Sequence, residues 1–237
     1  MNTIFKFQQF DIIQNSSVWK VGTDGVLLGA VIDCNSANNI LDIGTGTGLL
    51  ALMLVQKSNV FIDAIDINPT AYDLAKQNFN NSKWKNKLSI FNESLQNFKP
   101  NKKYDLIVSN PPYFLSGKPA LDKNRAIARH ATELSPEILA KNVDDLLKKT
   151  GKFIIIYPNT EMENFEKIAE NHNLFCEKKL FIYPKPNYDY IRIISFFSKT
   201  KSNIIETQNI TIENEKRHDY SDQYIELTKN YYIKIIK

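Results

Sequence analysis

The chain has 237 residues, 43% of them hydrophobic and 24% charged, with a net charge of +4. This composition excludes a disordered chain, a collagen-like repeat and a disulfide scaffold, and it suits one large domain, here residues 1–237. Two cysteines, Cys34 and Cys176, and three scattered histidines, His130, His172 and His218, form no zinc pattern. No apolar run is long enough for a signal peptide or a membrane span, so a cytoplasmic protein with reduced thiols, no metal and no membrane is expected.

The opening "FKFQQFDIIQ" (residues 5–14) alternates apolar and polar and reads as a strand on a half-solvated face. A turn cluster follows, and "VWKVGTDGVLLGAVI" then reads as a glycine-containing turn into a short apolar helix. Residues 1–36 thus make a strand-and-helix extension. From residue 37 strands and helices alternate: "NNILDI", helix "GLLALMLVQK", "VFIDAIDI", helix "PTAYDLAKQNFNN", "KLSIF", "YDLIVS". Pro69 sits in the first turn of the second of these helices, where proline is tolerated. "SPEILAKNVDDLLKK" follows as a helix with Ser135 as N-cap, Pro136 at its first position and Gly151 beyond its end. Strand "GKFIIIYP", helix "NTEMENFEKIAENH" and a closing pair, "LFCEKKLFIYP" and "YIRIISFFSK", complete a core over residues 37–199. Repeated βα units predict a mostly parallel sheet with helices on both faces, and the closing pair predicts an antiparallel hairpin. Residues 200–237 read as a short strand and helix addition.

"LDIGTGTGLL" places Asp42, Gly44, Thr45, Gly46 and Gly48 just after the first strand of the series. Glycines allow a tight turn and close approach to a ligand, and ligands gather at the carboxyl ends of strands in such sheets. The spacing is D-x-G-x-G-x-G, not the G-x-G-x-x-G of dinucleotide sites, and no P-loop lysine lies in the turn. That suits a nucleoside ligand without phosphate, such as S-adenosylmethionine. The next strand ends at Asp66, followed by Ile67, and a carboxylate there can accept both ribose hydroxyls. The third strand ends in Asn92 and Glu93, either of which can contact the adenine.

The fourth strand ends in "SNPPYF". It is expected beside the first strand, where strand order reverses, so Asn110, Pro111, Pro112 and Tyr113 lie next to the cofactor's methyl group. The glycine turn, the ribose aspartate and Asn-Pro-Pro-Tyr together resemble class I methyltransferases that methylate an amine conjugated to a π system. The resemblance implies a Rossmann-like fold: a seven-stranded, mostly parallel sheet with one antiparallel strand. In this reading Asn110 and the Pro111 carbonyl accept the two amine hydrogens, the prolines stiffen the turn and Tyr113 stacks on the base. Phe114 lines the pocket or belongs to the core.

The motif serves several acceptors: DNA adenine, ribosomal RNA bases, release-factor glutamine or another RNA adenine. About 40 residues precede the glycine turn, too few for the helical domain of the glutamine enzymes. The stretch "FKFQQFDIIQNSSVWKVGTDGVLLGA", the later "RAIARHATELSPEIL" and the ending "RHDYSDQYIELTKNYYIKI" resemble the bacterial methyltransferases of the N6 amine of adenine 37 in valine tRNA. That resemblance places Lys20, Gly22, Thr23 and Asp24 near the methionine end of the cofactor, with S-adenosylhomocysteine as product. It implies a tRNA partner; separately, a monomer is expected. Glu93 stands where such enzymes usually carry aspartate. Lys118, Lys123, Arg125, Arg129 and His130 follow the motif as candidate phosphate contacts. A different planar amine, or a non-catalytic SAM- or RNA-binding module, remains the alternative.

Overall fold

A computed structural model describes residues 2–18, 20–58, 60–112 and 134–233. The expected first strand is in fact a hairpin, β1 (Thr3–Lys6) and β2 (Asp11–Gln14), with Thr3 opposite Gln14 and Lys6 opposite Asp11. Two phenylalanines break it. Phe7 and Phe10 are three residues apart, so a continuous strand would point them to opposite faces. Both are buried, their rings stack at 4.8 Å, and the Phe7 N–H donates to the Phe10 carbonyl. The chain then enters α1 (Thr23–Val31), whose residues from Gly25 to Ala30 are all buried.

Strand and helix then alternate as β3 (Asn39–Ile43), α2 (Leu49–Ser58), β4 (Phe61–Ile65), α3 (Pro69–Asn81), β5 (Leu88–Phe91) and β6 (Tyr104–Ser109). The described chain resumes with α4 (Pro136–Leu146), β7 (Leu147–Tyr157), α5 (Asn159–Glu170), β8 (Phe175–Tyr183), β9 (Arg192–Ser198), β10 (Glu206–Thr211) and α6 (Asp222–Thr228). The main sheet has the order β10-β8-β9-β7-β6-β3-β4-β5. Its neighbours run parallel except β9, which is antiparallel to both β7 and β8. Seven of these strands form the expected sheet, with the closing hairpin in place. The tail's strand was expected as a small addition; it joins the main sheet as an eighth member, β10, parallel to β8 with Ile210 buried.

The caps of α3 and α4 follow the sequence. The Asn68 side chain accepts the Thr70 N–H ahead of Pro69, and the Ser135 hydroxyl accepts the Ile138 N–H ahead of Pro136. The end of α4 does not: the helix stops at Leu146, and Gly151 lies inside β7. A Cβ on Gly151 would sit 2.8 Å from Leu147 Cδ1 and 3.0 Å from the Tyr104 carbonyl oxygen, so only glycine lets β7 close on β6 there.

Side chains from α1, α2, α3, α6 and the hairpin pack one face of the sheet, and α4 and α5 pack the other. Asn78, within α3, joins the hairpin to this frame. It is 1% exposed; its amide donates to the carbonyls of Ile13 (3.0 Å) and Thr47 (2.8 Å), and its oxygen accepts the Ile13 N–H (2.8 Å). At the far end, the Gln8 amide donates to the carbonyls of Lys229 and Tyr232, tying the hairpin turn to the tail. Asn78→Ala leaves three backbone groups of β2 and the glycine turn unpaired. Urea unfolding should show a loss of about 2–4 kcal/mol, whereas Gln8→Ala, at an exposed site, should cost less than about 1 kcal/mol.

Candidate active site

Strand β3 lies between β4 and β6, so strand order reverses there and a crevice opens at the carboxyl ends of β3 and β6. The Ser109 hydroxyl, fully buried, donates to the Ile43 carbonyl at 2.9 Å and fixes the two strand ends together. Gly44, Gly46 and Gly48 turn the chain away from this edge at φ of +70°, +59° and +82°, a region that side-chain-bearing residues rarely adopt. A Cβ at Gly44 would meet nothing within 4 Å, so the space above the sheet edge stays open. A Cβ at Gly48 would lie 2.5 Å from Phe79, so that glycine also serves the packing of α2 on α3.

Asp66 braces the turn. Its Oδ2 accepts the Gly46 N–H at 2.8 Å and its Oδ1 accepts the Asn68 N–H at 2.9 Å. A carboxylate has about four acceptor positions, so both oxygens keep capacity for ribose hydroxyls. Burial raises the Asp66 pKa, and the Asn68 and Gly46 amides oppose the rise. Ile67 beside it is 50% exposed, an apolar surface suited to a purine ring. The Asn92 amide donates to the carbonyls of Asp66 (2.9 Å) and Ile67 (3.2 Å), so Asn92 acts as a brace for this turn. Glu93 accepts the Ser94 N–H at 3.1 Å through one oxygen.

Asp42 lies under the turn, fully buried on the sheet face covered by α2. The Thr45 hydroxyl donates to its Oδ2 at 2.6 Å, and its Oδ1 has no hydrogen-bond partner. Burial pushes its pKa up to about 7, against the Thr45 hydroxyl and the nearby Ala51 amide. A buried carboxylate oxygen without a partner, an open cradle at Gly44 and a turn without lysine fit a cationic, phosphate-free nucleoside ligand such as S-adenosylmethionine.

The segment before α1 reaches this crevice. A Cβ at Gly46 would lie 3.8 Å from Val18, and one at Gly25 would lie 3.1 Å from Leu49 and 3.5 Å from the Asn110 amide nitrogen. Asp24, one residue earlier, accepts a hydrogen bond from Arg192 Nε at 2.8 Å. Arg192 starts β9 at the same edge, and 168 residues of separation hid this pairing from sequence reading. Lys20, Gly22 and Thr23 are exposed beside it, so the structure gathers this whole segment, the glycine turn, Asp66 and Asn110 at one edge. Pro111 is buried and Pro112 exposed. Tyr113, Phe114, Lys118, Lys123, Arg125, Arg129 and His130 lie outside the described residues. Cys34 and Cys176 lie elsewhere, and burial pushes both thiols up to about 11, which leaves them unsuited as nucleophiles at neutral pH.

The raised Asp42 pKa gives a pH dependence with a definite sign. The folded carboxyl titrates near 7 and the unfolded one near 3.8. Its contribution to stability is therefore full below the unfolded value and is lost as pH rises through about 7. An ammonium group binding the carboxylate reverses this preference. S-adenosylmethionine affinity should fall as pH drops below about 7, with proton release on binding seen by calorimetry in buffers of different ionisation enthalpy. Asp42→Asn should weaken cofactor binding about tenfold or more, yet raise the melting temperature of the cofactor-free protein at pH 8.

The family model described as methyltransferase small domain matches residues 19–182. A protein of Trichodesmium erythraeum named tRNA1(Val) (adenine(37)-N6)-methyltransferase is 42% identical over 97% of this chain and 98% of its own. A protein of the same name from Bacteroides thetaiotaomicron is 39% identical, covering 98% of each chain. Among solved structures, a predicted O-methyltransferase from Agrobacterium tumefaciens superposes with a TM-score of 0.66 at 13% identity, covering 88% of this chain and 96% of that one. A putative RNA methyltransferase from Pyrococcus horikoshii gives 0.54 at 18% identity, covering 75% and 82%. These two share the fold. The chain therefore belongs to the methyltransferase small domain family, among the relatives named tRNA1(Val) (adenine(37)-N6)-methyltransferase.

Proposed function

We propose that the chain methylates the N6 amine of adenine 37 in valine tRNA, using S-adenosylmethionine. The observation that carries the reaction type is the placement of Asn110 at the end of β6, beside Gly25 of α1 and at the same sheet edge as the glycine turn. The choice of acceptor is supported by relatives matched along nearly their whole length. The bound cofactor supplies an electrophilic methyl carbon on a sulfonium. Asp42 and the 20–24 segment take its amino-acid end, and Asp66 takes the ribose. Ile67 packs on the adenine and Glu93 accepts from its amine, while Asn92 holds the Asp66 turn through its amide nitrogen.

An adenine amine is a poor nucleophile because its lone pair is delocalised into the ring. The Asn110 side-chain oxygen and the Pro111 carbonyl accept its two hydrogens, hold the nitrogen and let it pyramidalise toward the methyl carbon. The prolines fix these acceptors in advance, so they need no ordering at each turnover. Tyr113 stacks on the base, and Phe114, Lys118, Arg125, Arg129 and His130 hold the flanking RNA. The methylated nitrogen is strongly acidic while it still carries both hydrogens, and it loses one to solvent without a dedicated base. Adenine 37 adjoins the anticodon in a single-stranded loop, so exposing it costs less than flipping a base from a duplex. In this reading the enzyme acts as a cytoplasmic monomer that needs no metal.

Incubation of the protein with S-adenosylmethionine and unmodified valine tRNA, followed by digestion and mass spectrometry, should place one methyl group on adenine 37. Methyl incorporation into ribosomal RNA or a release factor but not into tRNA would overturn the acceptor. Asn110→Ala should lower kcat by about 10²–10³ with cofactor affinity nearly unchanged. Asp66→Ala should weaken cofactor binding by about 10–100-fold. Calorimetry paired with single-turnover rates separates the two roles.

A further inference from the structure

The charge of this chain is unevenly placed. Residues 83–103 hold six lysines and one glutamate, a net +5 against +4 for the whole protein. Lys83, Lys85 and Lys87 lead into β5, Lys99, Lys102 and Lys103 lead into β6, and the single acid, Glu93, lies at the other end of β5. The six lysines therefore sit at the amino ends of β5 and β6, the edge opposite the crevice. Among the described residues only Lys102 of the six has a carboxylate partner, Asp63 at 2.8 Å. Two aromatic rings accompany the cluster. The Lys87 ammonium stands 4.0 Å from the ring centre of Phe61, which is 52% exposed, and the Lys83 ammonium stands 4.7 Å from that of Trp84.

From this arrangement we propose a second RNA-binding surface, formed by Lys83, Lys85, Lys87 and Phe61 with support from Lys99 and Lys103, that grips tRNA backbone phosphates away from the target base. Uncompensated ammonium groups attract a polyanion and release its counterions, and the exposed Phe61 ring holds the Lys87 ammonium in place. Position favours RNA over other acidic partners. β5 is the last strand at one side of the sheet, so its open flank leads directly from the crevice edge to the lysines. The four residues of β5 span about 13 Å, short enough for one tRNA to place a loop base at the upper edge and stem phosphates at the lower. This inference rests on the tRNA reading above.

The test replaces Lys83, Lys85 and Lys87 together with glutamine, and in a second protein with arginine. Each phosphate that is no longer neutralised should remove about 0.7–0.9 from the slope of log K for tRNA against log salt, so the slope of the glutamine protein should be shallower by about 2. Its KM for tRNA should rise about tenfold near physiological salt, with kcat and S-adenosylmethionine affinity unchanged, and the arginine protein should behave as wild type. A wild-type protein that methylates tRNA beside a glutamine protein with unaltered slope and KM overturns the surface. Loss of binding to phosphatidylserine vesicles with an unaltered tRNA slope overturns it too, in favour of a membrane contact. A wild-type protein that binds but does not methylate tRNA overturns the proposed activity alone, because the salt slope reads the surface independently.

Discussion

A chain leaving β3 has to turn within a few residues while keeping the space above the sheet edge free of side chains. Three glycines at positive φ meet the first need, and the empty surroundings of the missing Gly44 side chain meet the second. Such a turn is entropically costly to hold. It is held by groups from elsewhere: the Asp66 carboxylate on the Gly46 N–H, the Asn78 amide on the Thr47 carbonyl and Phe79 against Gly48. Because Asp66 and Asn78 lie on the next βα unit, β4 and α3 must be docked before the turn has one shape. Asn78 also holds β2, so the N-terminal hairpin is coupled to the same turn. In the proposed function Asp66 therefore meets a structural demand and a ligand-binding one at once.

Much of this was legible in the sequence because the signals are local. The βα alternation, the caps at Asn68 and Ser135 and the spacing of Asp42, Gly44, Gly46 and Gly48 each depend on neighbours within a few residues. The departures are at places decided by distant partners. The 5–14 stretch alternates well enough for one strand, but Phe7 and Phe10 gain more by both turning into the core, and that core includes Tyr232. The early end of α4 follows from Leu147 pairing with Tyr104 across the sheet. The tail becomes an eighth strand because β8 offers an open edge. Arg192 on Asp24 and Asn92 on the Asp66 turn are contacts between segments with no shared pattern. The end of β6 ahead of Asn110 was legible, but the neighbour Gly25 was not, since a small residue opposite Asn110 leaves no periodic trace.

The proposed reaction brings together a cationic cofactor and a polyanionic substrate, which favour opposite fields. The crevice edge carries Asp24, Asp66 and Glu93, with Asp42 buried beneath the glycine turn. The opposite edge carries the lysines of residues 83–103. Strong positive potential beside the sulfonium would work against the cofactor, so a lysine cluster at the far edge adds attraction for RNA without that cost. The length of β5, about 13 Å, separates the two and exceeds the screening length near physiological salt, so each edge acts largely on its own ligand. Asp42 is also partly disarmed when the crevice is empty: burial raises its pKa to about 7, which lowers the charge repelling RNA until a cation arrives. Filling the crevice with a cation then completes the ionisation of Asp42 and cancels its charge in one step. Cofactor binding on this account leaves the rim no more negative than before, which allows the RNA loop to approach the loaded enzyme at least as readily as the empty one.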